Sequence, residues 1–454
     1  MTSGSCEPRF APVREAFERN FAERDELGAS VCVLVDGEPV VDLWGGVADP
    51  ATGRAWERDT MNVIQSCSKG VTALCGHILI DEGRLDLDAP VTRYWPEFGR
   101  RGKASIPVRQ VFTHQSGVAH VDGLIPHGGL NDWALMTRLI EETRPFWAPG
   151  TRTGYHALTI GWMIGELVRR ISGRTVGAFF RERVGDPLGL DCWIGLPAEH
   201  EHRVATTVFF DLAAQSGIPP AVYAALTDPT STAHRLLSGA LRLRPVRAAL
   251  GAAATRGLRA QARRDPDAAV LPAEFVRGML DPRSAAFKLI TNVGGWFEVG
   301  DSPAAHAAEI PAAGAVTNAR GLAGVYAPLS LGGSRDGVRI VSEEAIERMA
   351  YPQSFTDVDA CIGLRTCFTL GFSKSWPNAG AGNGVFIGED AFGTPGLGGQ
   401  IGFADPFHRL AFAYTMNRHG AGTGLNERGQ SLVDATYSIL GSPGREPGFW
   451  RRGR

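Results

Sequence analysis

Two side chains in the first part of the chain are of types that together can perform covalent catalysis. Ser66 and Lys69 stand three residues apart where a helix is predicted to begin, so both side chains fall on one face of it. A serine at that position lies where backbone N–H groups and the helix dipole favour developing negative charge. A lysine one turn later can stabilise an alkoxide or, if it is desolvated, accept the proton. The same pair also fits an N-capping serine followed by a solvated lysine.

A tyrosine further along the chain can complete this pair. Tyr155 stands on a predicted loop that leads into a helix. From there its phenol can lie beside Ser66 and Lys69 and transfer protons, and a neighbouring cation would favour the ionised phenolate. The alternative is that this tyrosine only anchors its loop.

A glycine-rich segment, residues 393–400, precedes a β-prone run near the C-terminus. Glycines there would let a substrate lie against a strand edge, and they would offer N–H groups to an oxyanion. Alone, the segment is compatible with an ordinary glycine-rich turn.

Several other side chains are candidates for contact with a substrate, and each has a structural alternative. A buried histidine more commonly supports a loop, and a tryptophan more commonly packs in a core. The candidates are His156, His306, Thr394, Gly396, Gly398, Trp147 and Trp376.

Hydrophobic periodicity and turn residues divide the chain into helical and β-prone regions. Helices are predicted over residues 9–26, 69–82, 158–171, 317–329, 342–351 and 426–440, and through most of 210–285. Strands are predicted at 29–35, 40–46, 364–373, 383–387, 400–405 and 409–416, whereas 286–316 is rich in loops.

Strands at both chain ends with helices between them predict an α+β fold, an α/β sandwich. One antiparallel sheet is then completed by both termini and lies beside a helical lobe. We expect residues 1–70 and 310–454 to form the domain with the sheet. Residues 71–309 form the mainly helical lobe, with an inserted lid at about 210–285.

Composition limits the classes of partner. The 454 residues carry 46 Lys and Arg against 48 Asp and Glu, a net charge of −2, which argues against nucleic acid and charged membrane partners. The sequence shows no secretory signal and no stretch long enough to span a membrane as a helix. It also has no Cys and His residues at metal-ligand spacing, so no metal or other cofactor is expected. The 7 thinly spread cysteines fit a reducing cytoplasm.

The order of these motifs resembles that of the serine β-lactamase and penicillin-binding-protein superfamily. More closely, the chain resembles the class C β-lactamase-like esterases, the family VIII carboxylesterases. Shared landmarks are 81–88 (DEGRLDLD), 111–117 (VFTHQSG), 147–150 (WAPG), 155–161 (YHALTIG), 309–311 (EIP), 318–323 (NARGLA) and 399–406 (GQIGFADP).

The resemblance implies a β-lactamase/transpeptidase-like fold and assigns a role to each residue. Ser66 is the expected nucleophile, Lys69 its activating partner, and Tyr155 the residue that transfers a proton to the leaving group. The oxyanion hole is expected to use the N–H of Ser66 and that of Gly399 or Gln400.

Two departures from the family pattern favour one function over the others. The second motif is Tyr155-His156-Ala157 where β-lactamases usually have Tyr-x-Asn, and the third is Thr394-Pro395-Gly396 where Lys-Thr-Gly or His-x-Gly is usual. We therefore expect a serine esterase that hydrolyses carboxylic esters of a small molecule.

Other functions remain open. An acyl- or peptidyl-transferase of secondary metabolism would use the same acyl-enzyme, and the 210–285 insert could then dock an acyl or peptidyl carrier. β-Lactamase or D-amino-acid peptidase activity is less favoured, and a non-catalytic binding protein is the remaining alternative.

Overall fold

The central feature of the fold is a seven-stranded antiparallel sheet built from both chain ends. A computed structural model describes residues 2–452 except 212, 214–215, 265–270, 379–382, 443 and 447. The sheet order is β1-β3-β2-β14-β13-β12, and β4 pairs with β3. The strands are β1 (Thr2–Cys6), β2 (Gly28–Val35), β3 (Glu38–Asp49), β4 (Arg54–Ala55), β5 (Asn62–Val63), β6 (Cys192–Trp193), β7 (Val316–Thr317), β8 (Ser334–Arg335), β9 (Val338–Arg339), β10 (Ser354–Thr356), β11 (Thr366–Phe368), β12 (Phe392–Gly396), β13 (Gln400–Asp405), β14 (Leu410–Met416), β15 (Arg445–Glu446) and β16 (Phe449–Trp450).

Helices cover both faces of this sheet and form a lobe beside it. The α-helices of the described residues are α1 (Ala11–Glu23), α2 (Ser68–Asp81), α3 (Val108–Phe112), α4 (Trp133–Glu142), α5 (Thr159–Ser172), α6 (Val176–Phe180), α7 (Pro220–Thr227), α8 (Thr232–Leu241), α9 (Arg244–Arg264), α10 (Ala273–Met279), α11 (Ala285–Thr291), α12 (Trp296–Val299), α13 (Pro303–Ala307), α14 (Ala319–Ser330), α15 (Glu343–Ala350) and α16 (Glu427–Ile439). The mixed α+β class predicted from the sequence is confirmed.

The two faces of β14 show why the sheet is buried on both sides. Because successive side chains of a strand point to opposite faces, Phe412 and Tyr414 pack in the cluster that contains α1 and α16. Ala411 and Ala413 face the other cluster, which contains α14 and α2. The small alanines let α14 pack closely against the sheet.

Helix α2 is buried along most of its length between this sheet and the helical lobe. Residues 68–79 are all buried, and the apolar ones surround the helix axis, as in a helix that lies within a core. Its N-terminus faces the turn that joins β12 to β13. The fold therefore fixes the first turn of α2 against the sheet edge.

Some elements differ from the sequence predictions. The polar strand Thr2–Cys6 was not predicted, although it pairs with β3 along its whole length. The loop-rich stretch 286–316 contains most of α11 and all of α12 and α13. The strand predicted at 383–387 is wrong, because these residues make only isolated bridges.

No helix among the described residues has both the length and the apolar character needed to cross a bilayer. The division of the chain near residues 70 and 310, with a lid at about 210–285, remains a proposal.

Candidate active site

A strained turn places Ser66 at the start of α2. The turn Gln65–Cys67 leads into the helix, and Gln65 has a φ of 46°, in the left-handed region. Such a conformation is held only where the surroundings fix it. Here the Trp296 indole donates to Gln65 Oε1 (3.2 Å), and the Ser68 hydroxyl donates to the Gln65 carbonyl (2.5 Å).

The hydroxyl of Ser66 does not cap the helix. The N-cap residues of the turn and of α2 are Ile64 and Cys67, and neither makes a side-chain capping bond. Lys69 is only 3% exposed, so it is not solvated. The alternative of an N-capping serine before a solvated lysine is therefore wrong. The hydroxyl contacts Lys69 and Tyr155 instead.

Two side chains contact the Ser66 hydroxyl. Lys69 Nζ and Tyr155 Oη each lie 2.8 Å from Ser66 Oγ. Lys69 Nζ also donates to the carbonyl of Ala312 (2.9 Å) and lies 4.9 Å from the centre of the Tyr155 ring. A hydroxyl held between an amine and a phenol has a proton acceptor on one side and a proton donor on the other.

Burial sets the protonation of both partners. It lowers the pKa of Lys69 to about 7, because the charged ammonium loses its water. Burial raises the pKa of Tyr155 above its usual range, and the hydrogen bond to Ser66 acts in the opposite direction. The ionised phenolate considered from the sequence is therefore disfavoured in the resting site.

A buried carboxylate that the sequence did not reveal holds the backbone of Tyr155. Both oxygens of Asp359 accept the Tyr155 N–H at 2.9 Å, and one of them also accepts the N–H groups of Cys361 (2.8 Å) and Ile362 (3.1 Å). Burial raises the pKa of Asp359 to about 6, although these bonds act in the opposite direction. No surrounding motif marks this aspartate in the sequence.

His114 supports the same loop from the other side. Its ring centre lies 5.3 Å from that of Tyr155, and its Nδ1 accepts the N–H of His156 at 3.0 Å. Burial, with the nearby His156 and Lys69, lowers the pKa of His114 well below its usual value. A neutral imidazole next to Lys69 avoids a second buried charge.

An apolar cavity of about 150 Å³ opens at Ser66. None of the described residues that line it carries a charge, and polar side chains are confined to Gln65, Ser66, Tyr155 and Thr423. The predicted insert contributes Phe210, Leu271 and Phe275 to the lining. Other walls come from Ile290, Trp296, Ile362 and Trp376.

Of the seven further candidates, Trp376 lines this cavity and the two histidines lie elsewhere. His156 is fully buried and bonds to Ser116 Oγ (2.8 Å) and to the carbonyl of Gly154 (2.5 Å), so it supports the loop. His306 lies 3.0 Å from a carboxylate oxygen of Glu201 and 3.5 Å from one of Asp301. These ion pairs raise the pKa of His306 against the effect of burial.

The remaining candidates surround the site without lining the cavity. Thr394 is 4% exposed, and its hydroxyl lies 3.5 Å from that of Tyr326. Gly396 lies against Cys67, and a Cβ on Gly398 would meet His419 at 2.7 Å. The Trp147 ring packs edge-on against His156, with centres 5.9 Å apart.

The turn between β12 and β13 does not present the N–H groups expected from the sequence. The Gly399 N–H donates to the carbonyl of Gly396 (3.2 Å), and the backbone of Gln400 is paired with Gly396 in the ladder between β12 and β13. The side chain of Gln400 is also engaged, because its Oε1 accepts from Asn62 (3.0 Å) and its Nε2 donates to the carbonyl of Val63 (3.3 Å). Neither residue lines the cavity. Leu397 does line it, and within the described residues its N–H has no acceptor.

Comparisons with known proteins identify the family of this chain and agree with its fold. The β-lactamase family model matches residues 13–436, so the chain belongs to the β-lactamase family. It is 33% identical over 426 residues to the esterase/β-lactamase LipL of Mycobacterium tuberculosis, covering 91% of this chain and 82% of that protein.

Two solved structures resemble the chain along almost its whole length. One is a family VIII carboxylesterase, with 32% identity, a TM-score of 0.72 and coverage of 97% of this chain and 100% of the other. The other is EstA from Arthrobacter nitroguajacolicus, with 29% identity, a TM-score of 0.73 and coverage of 97% and 99%. The chain is an enzyme of the β-lactamase-related serine hydrolases.

Proposed function

We propose that this enzyme is a carboxylesterase that acts on neutral esters with a short apolar acyl group. The observation that carries the proposal is the contact of Ser66 Oγ with Lys69 and Tyr155, each at 2.8 Å, at the mouth of an uncharged cavity. Taking about 30 Å³ for a group of the size of water, the cavity holds roughly five such groups.

Acylation follows from the protonation of the two partners. The neutral amine of Lys69 accepts the Ser66 proton as Oγ attacks the ester carbonyl. The N–H groups of Ser66 and Leu397 receive the developing oxyanion. The protonated phenol of Tyr155 then donates its proton to the leaving alkoxide.

Deacylation reverses these proton transfers. Water gives a proton to the Tyr155 phenolate and attacks the acyl carbon. Ser66 Oγ leaves and takes back the proton held by Lys69. Before this step the Tyr155 phenolate lies next to the Lys69 cation. The two opposite charges stabilise each other, because their attraction is strong in an apolar site.

The cavity lining also indicates that the acyl group of the substrate is uncharged. A carboxylate on the substrate would be buried without a cationic partner among the described lining residues, which costs several kcal/mol. Thr394, at the third motif position, supplies no charge either. We therefore expect weak turnover of carboxylate-bearing acyl groups and of β-lactams.

Steady-state kinetics on nitrophenyl acetate, butanoate and hemisuccinate, with nitrocefin, test this function. We expect butanoate to be preferred over hemisuccinate, and Ser66→Ala to lower kcat by about 10³-fold or more. Ser5→Ala, on an exposed part of β1, is the matched control and should keep wild-type activity. Wild-type turnover by Ser66→Ala, or a preference for nitrocefin, would contradict the proposal.

Acyl transfer is a second candidate, favoured by the apolar walls that the insert supplies. Such walls hinder water and leave room for an alcohol acceptor. If added alcohols raise the rate of nitrophenol release and form new esters in proportion, transfer is the main reaction. Release that no acceptor changes supports hydrolysis alone.

A further inference from the structure

One segment of the insert has a charge composition unlike the rest of the chain. Residues 229–264, here called the arginine lobe, contain 8 of the 46 basic residues and no Asp or Glu. The net charge of −2 conceals this uneven distribution. The net charge of the whole chain, from which no charged membrane partner was expected, does not describe this segment.

The arginines of the lobe are mostly unpaired. Arg235, Arg242, Arg244, Arg256 and Arg259 are exposed. Among the arginines of the lobe whose side chains the structure describes, only Arg247 has a carboxylate within 4.0 Å, that of Asp281 at 3.9 Å. A surface with so many uncompensated cations attracts anions over roughly a Debye length of 8 Å.

Several of these arginines border one groove. The groove has a volume of about 710 Å³ and lies between α9 and α10. Small residues of α9, such as Ala248 and Gly251, line it together with arginines of the lobe such as Arg244 and Arg256. Its one acidic lining residue among the described residues is Asp281, which lies 3.9 Å from Arg247.

Two leucines beside these arginines are exposed. Leu236 is 71% exposed and Leu243 is 59% exposed. Leu236 lies within α8, whereas Leu243 lies just beyond its end, in the turn that leads to α9. Each leucine directly follows an exposed arginine, Arg235 or Arg242. Exposed leucines interleaved with arginines are typical of segments that lie in a lipid–water interface.

We propose that the arginine lobe binds the surface of an anionic lipid bilayer. The arginines contact lipid phosphates, and Leu236 and Leu243 enter the boundary with the acyl chains. A free anion or an acidic protein would match the charge but would not require the exposed leucines.

The lobe is connected to the catalytic cavity through α10. Phe275 on this helix lines the cavity, and Arg277 lines the groove. A lipid bilayer bound at the lobe would therefore be linked to the acyl cavity through the single helix α10. Membrane binding itself does not depend on the proposed esterase activity, and it is measured separately.

Co-sedimentation of the full chain with vesicles tests this proposal. Vesicles of phosphatidylcholine alone should leave the protein in solution, whereas added phosphatidylglycerol should sediment it. High salt should weaken the binding. Failure to sediment with phosphatidylglycerol vesicles at low salt would overturn the proposal.

Two pairs of variants separate the charges from the leucines. Arg242→Gln with Arg244→Gln should weaken binding by about tenfold or more. The matched control, Arg451→Gln with Arg452→Gln, removes the same charge and should have no effect. Leu236→Ser with Leu243→Ser should also release the protein, whereas Phe355→Ser with Val358→Ser, at other exposed apolar positions, should not.

Hydrolysis of a soluble nitrophenyl ester should stay at the wild-type rate in all four variants, which shows that they are folded. If the leucine pair has no effect and soluble polyglutamate displaces the protein from vesicles, the lobe is a docking surface for an acidic protein. That result would replace the lipid proposal.

Discussion

At the residue scale, burial of Lys69 suits it to the role of general base proposed for it. Its Nζ has Ser66 Oγ and the Ala312 carbonyl as partners, and the cation is not matched by a carboxylate among the described residues in contact with it. The loss of solvent lowers the pKa of Lys69 to about 7. Near that pH a large part of the protein carries the neutral amine that can accept the proton.

This protonation predicts the pH dependence of catalysis. kcat/KM should rise as the pH increases through about 7, because the neutral amine of Lys69 is the active form. The raised pKa of Tyr155 keeps the phenol protonated, so the rate should not fall again below about pH 9. A flat profile between pH 5 and 9 would contradict this role for Lys69, and Lys69→Arg should remove most of the activity.

The contact of Asp359 with the Tyr155 backbone predicts that this carboxylate positions the tyrosine for catalysis. In Asp359→Asn, an amide group would face N–H donors that now point at a carboxylate. We expect kcat to fall by about ten- to a hundredfold with little change in KM, because a small displacement of a reacting group is costly.

Asp357→Asn is the matched control for this prediction, because Asp357 is exposed on the same loop and pairs with Arg365 (2.9 Å). It should retain wild-type kcat. Unchanged kcat in a folded Asp359→Asn variant would show that the carboxylate does not position the tyrosine.

The sequence predicted the site residues that belong to a recognisable motif, and it did not predict residues that hold those motifs in place. Ser66, Lys69 and Tyr155 stand in a recognisable order, and the structure brings their side chains together. Asp359 and Leu397 contribute through backbone geometry, which any of several residue types could provide. Their positions depend on long-range packing that local spacing does not encode.

At the scale of elements, the turn between β12 and β13 fixes the second side of the site. Gly399 has a φ of 106°, and the amide of Asn426 donates to the carbonyl of Gly398 (2.7 Å). A Cβ on Gly399 would lie 2.6 Å from that amide. The turn is thereby held at the N-terminus of α16, and its residue Leu397 lines the cavity.

Gly399→Ala should therefore displace the turn and lower kcat/KM by about a hundredfold through loss of the Leu397 donor. Gly53→Ala is a suitable control, because its φ of 74° is also left-handed but its Cβ would meet nothing within 4 Å. That control should cost about 1–2 kcal/mol of stability and leave kcat/KM intact. Equal losses of kcat/KM in both variants would contradict the proposed role of the turn.

Elements with a strong hydrophobic period were predicted well, and those held by pairing alone were not. The helices predicted at 69–82 and 158–171 correspond closely to α2 and α5. The strand Thr2–Cys6 has no apolar alternation, and it exists because β3 offers a free edge. Tertiary context overrides local propensity in such segments.

At the scale of the whole molecule, several histidines are buried in the neutral form. Burial lowers the pKa of His77, His120 and His156 to about 4 and that of His419 to about 3. The unfolded chain binds protons at these side chains near pH 6.5, whereas the folded chain does not. Stability should therefore fall as the pH decreases from 6.5 toward 4.

The melting temperature measured between pH 7 and pH 4.5 tests this expectation. His120→Asn should flatten the decrease, because the amide oxygen can accept the Val121 N–H that His120 Nδ1 accepts at 2.8 Å. One such histidine contributes roughly 3 kcal/mol at most over this pH range. His127→Asn, at an exposed position, should leave the slope unchanged, and a melting temperature independent of pH would contradict the account.

The net charge of −2 averages over segments of different composition. The fold class followed from the placement of strands at both ends, which is a property of the whole chain. The charge of the arginine lobe is visible only when residues 229–264 are counted separately. Averages over the chain therefore do not predict how charge is distributed on its surface.

The proposed function requires that Ser66 becomes acylated. Intact-mass spectrometry and peptide mapping after brief incubation with nitrophenyl butanoate, quenched in acid, test it most directly. We predict one butanoyl group on the Ser66 peptide of the wild type, decaying in water, and none on Ser66→Ala. An adduct on another residue, or Ser66→Ala that still turns over the ester at the wild-type rate, would contradict the account.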